Sequence, residues 1–235
     1  MQEIRSLITP ENSAVVLIDH QPQMAFGVQS IDRQTLINNV VGLAKAAKIF
    51  NVPTVLTTVA AKTFSGDLFP EIQELYPDQQ PVDRTSMNSW DDEKFRAAIE
   101  KTGRKKIVMA ALWTEVCLVM PAIDMLEAGY EVYIVTDASG GTSAEAHERS
   151  VQRLIQAGAV PMTWLQVLLE FQRDWARQDT YAPVLGVAME HAGAYGIGIR
   201  YAKSVLGGHA NEGGAVQEEV EKVLEAASTK TLGNQ

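Results

Sequence analysis

"AALWTEVCLVMPAIDMLEAG", residues 110–129, carries the chain's only cysteine, Cys117, where an apolar run gives way to a helical pattern. From Lys106 to Leu112 the run is almost continuously apolar, which is how a strand covered on both faces reads. From Thr114 to Ala128 the apolar spacing becomes helical, and Gly129 stands where such a helix should end in a left-handed cap. Cys117 therefore falls just past a strand, in the first turn of a helix. It is either an inert core thiol, as free cysteines often are, or a nucleophile.

The same grammar repeats on both sides. Further strands are expected at Ala14–Asp19, Thr54–Val59, Glu131–Thr136 and Val160–Thr163, and further helices at Thr35–Phe50, Asp92–Thr102 and Ala144–Ala157. Gly103 and Gly158 sit at helix ends in the same way as Gly129. "GTSAEAHE" at 141–148 offers a helix start in which Thr142 caps and Glu145 answers as a capping box. Strands alternating with helices predict an α/β fold, a three-layer, doubly wound, mainly parallel sheet. The segment from Phe64 to Trp90, with Pro70, Pro77 and Pro81, is long for a connection and is expected to cross a functional mouth.

Residues 1–180 read as the main domain and 181–235 as a helical extension that packs on it or on a neighbouring subunit. In the extension, "GGHANEGG" reads as a linker. Val216, Val220, Val223, Leu224 and Ala227 then form one apolar stripe of a helix too short to stand alone in water.

With 46% apolar, 21% charged and 7% aromatic residues, the composition is that of an ordinary globular protein. No apolar run approaches the roughly 20 residues of a spanning helix, and the N-terminus lacks the pattern of a signal peptide. No membrane association and a cytoplasmic location are expected. A net charge of -9 argues against nucleic-acid binding, because no basic patch is available to displace counterions from phosphates. One cysteine rules out an internal disulfide framework. Neither GxGxxG nor a P-loop occurs.

In doubly wound sheets, ligands bind at the carboxyl ends of the strands, near the point where strand order reverses. Asp19 closes "AVVLID", Cys117 follows "KIVMAALW", and Arg84 lies in the long segment beside "TSMNSW". A thiol at a helix N-terminus beside a guanidinium would be biased toward thiolate. A buried carboxyl with a raised pKa could take up the thiol proton and return it to a leaving group. Together these groups would support acyl transfer through a thioester.

"VVLIDHQPQM", "DRTSMNSWDDEKF" and "MAALWTEVCLVMPAIDMLEAGYEVYIVTDASGGTS" together resemble the isochorismatase-like cysteine hydrolase superfamily, and within it the YcaC-related branch, over residues 8–178. The resemblance implies a Rossmann-like fold in which Asp19 is the catalytic aspartate and Cys117 the nucleophile. It places the oxyanion hole on the backbone amides of Trp113 and Cys117, with a non-proline cis peptide between Leu112 and Trp113. His20, Gln21, Asn88 and Trp90 become candidate pocket residues. Arg84 falls where the family usually has lysine; arginine can hold charge there but cannot transfer a proton near neutral pH.

Nicotinamidase-like members carry an Asp and His cluster after the second strand, whereas "TTVAAKTFSGDLFP" has no histidine. His20, His147, His191 and His209 show no close ligand pairing. No metal and no cofactor are expected. The resemblance implies a metal-independent hydrolase of a small amide, ester or carbamoyl compound, and a homo-oligomer, octamers being known in this branch. The alternatives are an isochorismate-type enol-ether hydrolase and a catalytically idle small-molecule binding or scaffold protein.

Overall fold

The computed structural model describes residues 7–205. Among them, six strands form one sheet: β1 (Ser13–Ile18), β2 (Thr54–Val59), β3 (Val82–Arg84), β4 (Lys106–Ala111), β5 (Glu131–Val135) and β6 (Val160–Met162). Their order is β3-β2-β1-β4-β5-β6, and each neighbouring pair is parallel. The helices are α1 (Pro22–Phe26), α2 (Arg33–Ile49), α3 (Pro70–Leu75), α4 (Glu93–Lys101), α5 (Val119–Glu127), α6 (Ala144–Ala157), α7 (Trp164–Gln172), α8 (Gln178–His191) and α9 (Gly193–Val205). Helix α2 packs against α3, α7 and α8, and α5 packs against α6 and β5. The doubly wound α/β fold expected from the sequence is present, with every strand pairing parallel.

The two central strands explain why the fold is legible. All six residues of β1 and all six of β4 are buried. A parallel strand covered on both faces needs apolar side chains on both sides of its pleat, so its sequence is a run rather than an alternation. At the edge, β6 accommodates Pro161, which is tolerated where no further strand needs its N–H.

Three sequence expectations are corrected. The segment between Phe64 and Trp90 is not one irregular connection, since it contains α3, β3 and a 3₁₀ turn over Ser89–Asp91. Strand β3 escaped notice because "VDR" is three residues long and two of them are charged. The cap of α6 is Ser143, whose hydroxyl accepts from the Ala146 amide at 3.0 Å, whereas the Thr142 hydroxyl donates to Glu115 at 2.5 Å. Glu145 instead faces Arg149, one helical turn on, at 3.8 Å. Finally, the helix after β4 does not begin regularly at Thr114: residues Thr114–Leu118 form a single π-helical turn before α5.

Helix α8 runs across residue 180 and buries Pro183, Val184, Leu185, Val187 and Ala188. The stripe from Val216 to Ala227 lies outside the described residues. No helix among the described residues is long and apolar enough to cross a membrane.

Helix α2 meets α7 at Gly42, where an added Cβ would lie 2.7 Å from the Trp164 ring. Trp164 is almost fully buried and has no room to retreat. Gly42→Val should therefore lower unfolding stability by about 1–3 kcal/mol through overpacking, measured by urea denaturation.

Candidate active site

Strand β1 continues to β2 and β3 on one side, and β4 to β6 lie on the other, so strand order reverses between β1 and β4. The carboxyl ends of those two strands therefore face the crevice where ligands bind in such sheets. Ile18 is level with Ala111, and the Leu112 amide donates to the Ile18 carbonyl at 3.1 Å. This register places Asp19 beside the turn that carries Cys117.

Asp19 has φ 59°, in the left-handed region that aspartate tolerates better than most residues. Its carboxylate is held from two sides. Arg84, at the end of β3, donates from Nη2 to Oδ1 at 2.9 Å and to Oδ2 at 2.7 Å, and the Cys117 thiol hydrogen-bonds to the same carboxylate. Asp19 is fully buried, Cys117 is 3% exposed and Arg84 4%. The structure thus brings together the three residues singled out from three distant segments of sequence.

Burial raises the Asp19 pKa to about 6, against the guanidinium of Arg84 and the Cys117 hydrogen bond, which pull it down. Burial first, and then the Asp19 carboxylate, also push the Cys117 thiol above the ordinary cysteine range; Arg84 and the Trp113 amide act in the opposite sense. This corrects the expectation of a thiol biased toward thiolate. Cys117 sits inside a π-helical turn with the Asp19 carboxylate beside it.

The peptide between Leu112 and Trp113 is cis. The Trp113 amide is directed at the Cys117 sulfur, while the Cys117 amide donates to the Trp113 carbonyl at 2.8 Å. The Trp113 indole donates to the Met24 carbonyl at 2.7 Å, and a Cβ on Gly27 would lie 2.5 Å from its ring. The indole is therefore packed against the end of α1.

The other candidate pocket residues are engaged by the scaffold. Gln21 is fully buried; its Oε1 accepts from the Val59 amide at 2.9 Å and its Nε2 donates to the Gly66 carbonyl at 2.5 Å, tying the end of β1 to the end of β2. Asn88 caps the turn before α4 by accepting from the Trp90 amide, and donates to Asp124 at 2.7 Å. Trp90 packs edge-on against Tyr130, which leads into the opposite end of β5. His20 donates from Nε2 to the Ala138 carbonyl at 2.9 Å, leaving Nδ1 buried without a partner.

Sequence reasoning missed the residues that fasten the nucleophile turn. Glu115 accepts from both the amide and the hydroxyl of Thr142, and the Thr114 hydroxyl meets His147 Nδ1 at 2.8 Å. These bonds tie the turn to the start of α6. The only signal in the sequence was the position of Glu115, two residues before Cys117. Asp83, adjacent to Arg84, was also missed: it accepts from the Thr58 hydroxyl and the Ala61 amide and acts through space on Asp19. Among the described residues, no group of three or more His, Cys, Asp or Glu is placed to hold a metal ion.

A family model for the isochorismatase domain matches residues 13–166. The chain belongs to the isochorismatase family. Within it, the chain is 41% identical over 165 residues to the probable hydrolase YcaC of Escherichia coli, covering 70% of this chain and 79% of that protein. The E. coli YcaC crystal structure, described as an octameric hydrolase of unknown specificity, superposes with a TM-score of 0.82 at 34% identity, covering 86% of this chain and 99% of that one. YcaC of Pseudomonas aeruginosa, solved with hexane-2,5-diol and covalent acrylamide, superposes with a TM-score of 0.79 at 34% identity, covering 84% and 98%. The protein is thus an isochorismatase-family hydrolase of the YcaC-related branch.

Two outcomes follow from the electrostatics of the site. Alkylation of the folded chain by iodoacetamide should show a pH midpoint above the ordinary thiol value of about 8.5; a midpoint well below it would contradict this environment. Burial also holds His20 down to about 4 from 6.5, so in that range the unfolded chain binds a proton that the folded chain does not. Asp19 works in the opposite sense, the folded chain taking up its proton first as pH falls toward 6. The stability of the wild-type chain relative to His20→Gln should therefore fall as pH drops from about 6.5 to about 4, measured by urea unfolding at each pH.

Proposed function

We propose that the chain is a metal-independent cysteine hydrolase that cleaves a small amide, ester or carbamoyl compound through a thioester on Cys117. The observation that carries the reading is the Cys117 thiol hydrogen-bonded to a buried carboxylate that Arg84 grips through Nη2. With a pKa of about 6, Asp19 is ionised at neutral pH yet basic enough to accept a proton.

As the sulfur attacks the substrate carbonyl carbon, its proton passes to Asp19. The carbonyl oxygen becomes an oxyanion facing the Trp113 amide, with the Cys117 amide as the second donor, shared with the Trp113 carbonyl. Asp19 then delivers the proton to the leaving nitrogen or oxygen, the carbon–heteroatom bond breaks, and the acyl group remains on sulfur. Water attacks the thioester with Asp19 again as base, releasing the acid and restoring the thiol. Arg84 keeps the carboxylate ionised and oriented and takes no part in proton transfer. Because the resting thiol is protonated, attack and proton transfer go together.

The covalent acrylamide in the P. aeruginosa relative supports a reactive nucleophile in this branch, and Cys117 is the only thiol here. By likeness to the octameric E. coli structure we also propose a homo-oligomer. Residues 1–180 would form its catalytic domain and 181–235 an extension packed on that domain or on a neighbour. The buried residues of α8 support the first of those packings.

The test is a screen of small amides, esters and carbamoyl compounds, followed by Cys117→Ser. The variant should keep its circular dichroism and unfolding midpoint and lose about 10³-fold or more in kcat. For the wild-type chain, kcat/KM should decline below pH about 6, where Asp19 takes up a proton. A Cys117→Ser variant that keeps most of its activity would sink the thioester mechanism.

A further inference from the structure

We infer that the site admits small uncharged carbonyl compounds and discriminates against anions, because the guanidinium that would bind an anion is already committed to the protein. The inference rests on the reading of Cys117 as the nucleophile. It concerns the charge class of the substrate, which that reading leaves open.

Arginine recognises a carboxylate through paired donors on adjacent nitrogens of its planar fork. In Arg84 both terminal nitrogens are engaged: Nη2 contacts both oxygens of Asp19, and Nη1 donates to the Ser86 carbonyl at 2.5 Å. Only Nε is buried without a partner. An end-on approach meets two occupied nitrogens, and a side-on approach meets Nη2 already on Asp19. What remains is Nε–H and the second hydrogen of Nη1, which share no edge of the fork, so no pair of adjacent donors is left for a carboxylate's two oxygens.

The charges agree with the hydrogen bonds. Arg84 is the guanidinium in contact with the nucleophile's partner, its charge matched by Asp19 in direct contact, while Asp83 adds negative potential at Asp19 through space. An entering anion would leave water for a buried site whose positive charge is already matched. Desolvation and repulsion would then act together. An uncharged amide or carbamoyl compound meets neither obstacle, and its carbonyl oxygen suits the Trp113 amide directed at Cys117.

The single thiol permits a test that needs no known substrate. The full-length chain would be alkylated at pH 9, where Asp19 is ionised, with iodoacetamide and with iodoacetate, which share a reacting carbon and differ in charge. The same chain unfolded in urea would correct for the intrinsic reactivity of each reagent without changing ionic strength. The folded-to-unfolded rate ratio should be lower for iodoacetate than for iodoacetamide by about tenfold or more. Equal ratios, or a ratio favouring iodoacetate, would overturn the inference.

Asp19→Asn removes the charge that Arg84 matches and should shift the preference toward iodoacetate. If that variant does not fold, Asp83→Asn, at an exposed position, should shift it in the same direction by less; no shift in a folded variant would count against the charge argument. The two readings fail separately. Selective labelling by the uncharged reagent with no hydrolysis of any compound would remove the hydrolase and keep the charge preference. Cys117-dependent hydrolysis with unselective labelling would do the reverse.

Discussion

The ion pair between Arg84 and Asp19 is the constraint around which the rest of the site is arranged. Both side chains are withdrawn from water, and neither charge is tolerable there without the other. Their meeting requires β3 to lie in register beyond β2 so that its last residue reaches across to the end of β1. It also requires the left-handed backbone at Asp19 and the Gln21 bridge between the ends of β1 and β2. The pair in turn sets the state of Cys117, whose proton rests against an anion that is already half neutralised. Burial first, and then the Asp19 carboxylate, keep Cys117 from being a preformed thiolate. A buried carboxylate one hydrogen bond from a protonated thiol is a poised base, and its raised pKa keeps proton return to a leaving group accessible.

Asp19 and His20, adjacent in sequence and both buried, respond to acid in opposite ways. Asp19 binds a proton more readily in the folded chain, whereas His20 resists one because burial disfavours the charged ring more than its hydrogen bond to the Ala138 carbonyl favours it. The nucleophile turn is fastened independently, through the Glu115 contact to Thr142 and the Thr114 contact to His147. Cys117 is therefore positioned by the start of α6 as well as by the end of β4. Trp113, packed on Gly27 and bonded to Met24, links the same turn to α1.

Much of the fold was legible because burial on both faces imposes a pattern that a linear reading detects. The runs that became β1, β2, β4, β5 and β6 were recognisable, with ends shifted by no more than one residue, and Gly103, Gly129 and Gly158 adopt the positive φ that their positions suggested. Strand β3 left no such trace. It is an edge strand of three residues, and its existence depends on pairing with β2, which no local propensity encodes. The cap of α6 was assigned one residue early because Thr142 and Ser143 are both capable caps. A long-range contact decided between them by drawing Thr142 to Glu115.

For the site, the sequence determined which residue types stand at the strand ends, since an aspartate after one apolar run and a cysteine after another are local facts. The likeness of three motifs to a known family gave Asp19, Arg84 and Cys117 their expected roles. Only the tertiary structure decided what those groups do to one another. The Cys117 thiol is raised rather than lowered because the packed chain buries it and sets the Asp19 carboxylate, from the end of β1, beside it, with Arg84 of β3 acting in the opposite sense. Arg84 likewise could be read as a free cation until the fold placed Asp19 and the Ser86 carbonyl on its two terminal nitrogens. Residue identity supplies charge and reactivity, but burial and distance set the pKa and the remaining binding capacity, and both are properties of the packed chain.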